Sequence, residues 1–78
     1  MNKKLKYDFK LSNNRVRIYI NDQLHILFDS SLFLGVDSYR DFDGLYGIDI
    51  TLNGGIMKIK YEDREIWSSI LKLIDTNL

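Results

Sequence analysis

The segment LYGIDITLNGGIMKIKYE, residues 45–62, restricts the fold more than any other stretch of this chain. Apolar and polar residues alternate on both sides of Asn53-Gly54, a dipeptide suited to a two-residue hairpin turn. Such a turn fixes the register. Leu52 meets Gly55, Ile50 meets Met57, Ile48 meets Ile59 and Tyr46 meets Tyr61 on one face, while Asp49 meets Lys58 on the other. A ribbon with one apolar face needs a cover on that side, and the next segment, DREIWSSILKLIDTN, can supply it. Asp63 is placed to cap a helix and Glu65 falls in its first turn. At 100° per residue, Leu73, Ile66, Ile70, Ile74, Trp67 and Leu71 span an arc of about 160°. Trp67 reads as a core anchor.

The first hairpin follows the same logic. Leu5, Tyr7, Phe9 and Leu11 alternate with Lys6, Asp8 and Lys10, and Val16, Ile18 and Ile20 repeat the pattern after an Asn13-Asn14 turn. The register pairs Leu11 with Val16, Phe9 with Ile18 and Tyr7 with Ile20, and it sets Lys10 opposite Arg17. A three-residue link, Asn21-Asp22-Gln23, then returns the chain with Leu24, Ile26 and Phe28 on the core face. Residues 32–36, LFLGV, are apolar on both faces, so this strand is either covered twice or displays a sticky patch.

These patterns predict an α+β fold in a single domain, residues 1–78. About six antiparallel strands, near 5–11, 15–20, 24–29, 32–37, 45–52 and 55–61, form a sheet or partly closed barrel. One C-terminal helix near 63–76 packs on it.

Composition narrows the chemistry. A chain of 78 residues leaves little room for both a core and a deep pocket. Cysteine is absent, which excludes disulfides, thiol catalysis and thiolate metal sites, and the one histidine is a poor start for zinc. The glycines at 54 and 55 serve a hairpin, and no phosphate-cradling glycine loop is present. We therefore expect no enzyme activity, no cofactor and no metal. No apolar run is long enough for a membrane helix, and Asp8 and Lys10 interrupt the start MNKKLKYDFKL where a signal peptide needs an apolar stretch, so a cytoplasmic protein is expected. The absence of alanine and proline beside abundant Ile, Leu, Asn, Lys and Asp suggests a low-GC bacterium or its phage as the source.

Net charge is zero, yet unevenly spread. Lys3, Lys4, Lys6, Lys10, Arg15 and Arg17 stand against Asp8 in residues 1–20, and Asp22, Asp29, Asp37, Asp41, Asp43 and Asp49 against Arg40 in residues 21–49. Such asymmetry bears on partners. The stretch DSYRDFDGLYGIDI, residues 37–50, invites a calcium reading. With Gly44 set on the invariant glycine of a calcium loop, however, Tyr39 takes the first ligand position and Ile50 the twelfth, where a bidentate glutamate belongs. A solvated acidic turn between strands, or a protein-contact loop, fits better, and neither gives Asp41 or Asp43 a large role in stability.

Two pieces of the chain resemble pleckstrin-homology-like domains. EIWSSILKLI after the last hairpin is similar to their closing helix, which carries a Trp followed by apolar residues. KLSNNRVR resembles the basic signature across their first turn. The resemblance implies a barrel closed by the helix and an anionic headgroup held by Lys10, Arg15 and Arg17.

The residues themselves point to a small protein-binding module, an inhibitor or adaptor, contacting its partner through Tyr19, Leu27, Asp37, Tyr39, Asp41 and Asp43. Self-association through the surplus apolar face of 32–36 is a further partner reading. The alternative is binding of nucleic acid or an anionic headgroup by the first hairpin, where Lys10, Arg15 and Arg17 form an anion clamp and Tyr19 and His25 add interleaved aromatic groups.

Overall fold

The computed structural model describes residues 4–78, so Lys3 of the basic N-terminal set lies outside the described residues. The strands are β1 (Tyr7–Ser12), β2 (Arg15–Ile20), β3 (Gln23–Asp29), β4 (Phe33–Arg40), β5 (Tyr46–Leu52) and β6 (Gly55–Tyr61). A short 3-10 turn, Ser30–Leu32, follows β3, and the helix α1 spans Arg64–Asn77. The class is α+β. In place of one six-stranded sheet or a partly closed barrel, the strands form two three-stranded antiparallel sheets, ordered β1-β2-β3 and β4-β5-β6. The chain divides correspondingly into two compact units, one ending at Leu32 and the other running Phe33–Leu78. Among the described residues, strand pairing within each unit joins neighbours in sequence.

In the first unit, both central residues of the β1–β2 turn adopt left-handed φ, Asn13 at 52° and Asn14 at 61°. This is the conformation that matches the twist of a hairpin. The register is the one anticipated, with Leu11 opposite Val16, Phe9 opposite Ile18, Tyr7 opposite Ile20 and Lys10 opposite Arg17. The β2–β3 turn differs from expectation. Asn21 (φ 50°) and Asp22 (φ 65°) form a second two-residue turn, so Ile20 faces Gln23 and Tyr19 faces Leu24. A bulge then skips His25, after which Ile18 faces Ile26 and Val16 faces Phe28. Leu24 is thereby turned to the outer face and is 48% exposed, a correction to its core assignment. The extra residue restores parity farther along, and Val16, Ile18, Ile20, Ile26 and Phe28 are all buried.

In the second unit, β5 is the central strand and pairs with β6 in the register set by Asn53-Gly54, including Asp49 opposite Lys58. Only Gly54 of that turn has positive φ, at 108°, a demand glycine meets without strain. Asp63 caps α1, its carboxylate accepting the Glu65 N–H at 2.8 Å. The helix touches all three strands of its sheet. Ile70 and Ile74 of α1 and Ile48 and Ile50 of β5 are wholly buried. Ile66, Trp67, Leu71 and Leu73 are half-buried beside them.

Strand β4 runs to Arg40, three residues beyond the expected end, so Tyr39 joins Asp37 on a strand and does not lie in a turn. A bulge at Leu34 leaves that side chain 69% exposed. Tyr39 faces Gly47, and a Cβ built on Gly47 would stand 2.6 Å from Tyr39 Cε1. The aromatic ring thus lies where a side chain of residue 47 would be, and the glycine is what lets the β4–β5 ladder continue past it.

Candidate functional site

The sequence candidates fall on both units. Tyr19 and Leu27 belong to the outer face of the first sheet, together with Lys10, Arg15 and Arg17. Leu27 is 40% exposed and sits across from Arg17. The Lys10 ammonium lies 5.3 Å from the Tyr19 ring centroid, so it leans away from Arg17 onto an aromatic face. Among the described residues no carboxylate forms an ion pair with Lys10 or Arg17, whereas Lys6 engages Asp22 at 3.4 Å and Asp8 at 3.8 Å. Arg15 is less free as an anion ligand because it stands opposite Asp29. The Ser31 hydroxyl and N–H, donating at 2.7 and 2.9 Å, hold the Asp29 carboxyl below its ordinary range, and the charge of Arg15 adds to the effect. His25, at the bulge, is exposed.

On the second unit, the turn after β4 is built around Asp41. Its Oδ1 accepts the N–H groups of Asp43 (3.0 Å) and Leu45 (2.9 Å), its own N–H donates to the Leu45 carbonyl at 3.0 Å, and Gly44 N–H donates to the Asp41 carbonyl at 3.1 Å. Gly44, at φ 81°, lets the chain reverse. Asp41 Oδ2 is buried and meets the Lys60 ammonium of β6 at 3.0 Å, an ion pair off hydrogen-bond alignment. Lys60, followed by the Leu45 and Asp43 amides, keeps the Asp41 carboxyl below the usual carboxylate range against the opposing pull of desolvation. The Lys60 ammonium is raised by the same contact.

Asp41 and Asp43 are therefore unequal. Asp41, its side chain 14% exposed, holds the turn, and Asp43 is displayed on it. Between them Phe42 projects entirely into solvent, with a relative exposure of 110%. This residue is not among the contacts expected from sequence. Its signal was an aromatic side chain locked between two aspartates in a glycine-closed turn, a position with no core to enter. Asp37 is exposed on β4 opposite Asp49, whose Oδ2 meets Lys58 at 3.3 Å while its buried Oδ1 has no hydrogen-bond partner.

A second feature of this unit lies where α1 begins. Ser38, Tyr39, Arg40, Tyr46, Arg64 and Trp67 line an open cleft of about 500 Å³. The Arg40 guanidinium lies over the Tyr46 ring, 4.9 Å from its centroid, the Tyr46 and Trp67 ring centroids are 5.1 Å apart, and Trp67 Nε1–H donates to the Gly47 carbonyl at 2.9 Å. Trp67 is thus an anchor with one face toward a cleft, which its place on the helical apolar arc did not reveal.

Among the described residues, no cluster of three or more His, Cys, Asp or Glu is arranged to hold a metal ion. Nor is any helix among them long and apolar enough to cross a membrane. The chain matches no family model, no curated protein and no solved structure.

Proposed function

We propose that this chain is a small non-enzymatic protein-binding module, an inhibitor or adaptor of a low-GC bacterium or its phage, and that Phe42 is its principal contact residue. The observation that carries the reading is a fully exposed aromatic side chain on a turn braced by hydrogen bonds and an ion pair. Aromatic residues dominate the energetics of protein interfaces, and a turn already ordered loses little freedom on binding. Asp43 beside it favours a partner pocket with a basic rim. Exposed Leu34 is available for a second copy or for the same partner.

The test is site-specific photocrosslinking from position 42 in cells of the native host, with position 53 as an exposed control. Discrete adducts from 42 that are absent from 53, and that survive moderate salt, support the reading. Identical patterns from the two positions overturn it.

The facing, carboxylate-free pair Lys10 and Arg17 favours a second reading, in which the first hairpin binds nucleic acid or an anionic headgroup with Arg15 as the third cation. In that case single-stranded nucleic acid or anionic vesicles bind tightly at low salt, and the Lys10, Arg15, Arg17 triple-alanine variant loses the binding.

A further inference from the structure

We propose that the cleft at the start of α1 binds a phosphate monoester carried on a planar group, as presented by a nucleoside monophosphate or a phosphotyrosine side chain. In a chain with as many acidic as basic residues, this cleft is lined by two arginines and no acidic residue. Among the described residues neither Arg40 nor Arg64 forms an ion pair. Asp63, next to Arg64 in the chain, has its carboxylate engaged by the Glu65 N–H.

The Arg40 guanidinium lies over the Tyr46 ring, 4.9 Å from its centroid, and the planar N–H fork of a guanidinium can take two oxygens of one anion. Arg64 supplies the second positive charge. Two positive charges match a dianionic monoester better than a single carboxylate. The cleft volume of about 500 Å³ exceeds what a bare oxyanion fills. The remaining wall is contributed by Tyr46 and Trp67, whose single indole donor is already committed to Gly47, so Trp67 offers the ligand only its ring. A planar substituent suits that wall. The site is distinct from the Lys10, Arg15, Arg17 hairpin and from Phe42.

The experiment is a titration of the isotope-labelled full chain with adenosine monophosphate, with a phosphotyrosyl tripeptide and with uncharged adenosine, followed at the arginine Nε and Trp67 indole resonances. The expected result is saturable shifts at Arg40, Arg64 and Trp67 with at least one phosphate ligand, the tighter of the two identifying the source. Adenosine should bind at least about tenfold more weakly, and Arg64→Gln should weaken the phosphate ligand at least about tenfold. Arg40→Lys, which keeps the charge and loses the fork, should fall between, and far-UV circular dichroism confirms that each variant is folded. The proposal is overturned by the absence of saturable shifts, by adenosine binding as tightly, by full affinity in Arg64→Gln, or by shifts that centre on Lys10 and Arg17.

Discussion

The ring of Tyr39 lies over Gly47 on the adjacent strand, at the place where any other residue would put its side chain. Gly47→Ala should therefore displace the ring and destabilise the protein by about 1–3 kcal/mol, the usual cost of overpacking. Adding Tyr39→Ala to the glycine variant should recover part of that loss. Urea denaturation of both single variants and the double variant measures the coupling.

The neighbouring turn separates two aspartates that look alike in sequence. Asp41→Ala removes three interactions and should lower the melting temperature clearly, whereas Asp43→Ala should change stability by no more than about 0.5 kcal/mol. Thermal melts of the two variants decide this.

Acid should reveal the same asymmetry. The Asp41 carboxyl is held below its ordinary range, chiefly by Lys60, so folding is favoured by its ionised form. Its contribution is complete above the unfolded carboxylate value of about 3.9 and is lost as pH falls through the lower folded value. The melting temperature of the natural chain should drop through this window. The drop should be shallower in Asp41→Asn, with the remaining slope owed in part to Asp29, which is lowered as well.

The helix supplies a core test. Ile70 is fully buried, and Ile70→Ala should cost about 2–5 kcal/mol. Asp63→Ala, which removes only the cap, should cost about 0.5–2 kcal/mol. Denaturant titration distinguishes these two magnitudes.

Phe42→Ala should leave the melting temperature unchanged, because the side chain is fully exposed. It should also weaken partner binding by about 2 kcal/mol or more, which calorimetry with the crosslinked partner would measure.

Much of this architecture is legible in residue order because turn chemistry sets register locally. Asn13-Asn14 and Asn53-Gly54 each dictated which side chains face one another across their hairpins. Asn21-Asp22 was harder to read, since aspartate accepts a left-handed φ less readily than asparagine or glycine, and a two-residue turn there puts Leu24 on the wrong face unless a bulge follows. The partition into two sheets was not legible, because alternation tells which face of a strand is apolar and not which strands pair. Nor could the reach of β4 be seen, since it depends on Gly47 yielding space to a tyrosine eight residues earlier. The Arg40–Arg64 cleft depends on where the helix lies on its sheet, and the apolar arc of α1 fixes its inner face without fixing that position.

Among the described residues, every ladder joins strands that are consecutive along the chain. No distant segment must be captured before a strand finds its mate, so the entropy of closing long loops scarcely slows assembly. Each reversal at Asn13, Asn21 and Asn53 can act as its own starting point. Refolding after a denaturant jump should accordingly be rapid for a protein so rich in strands. With proline absent from the sequence, it should also be free of the slow phase that peptide-bond isomerisation imposes.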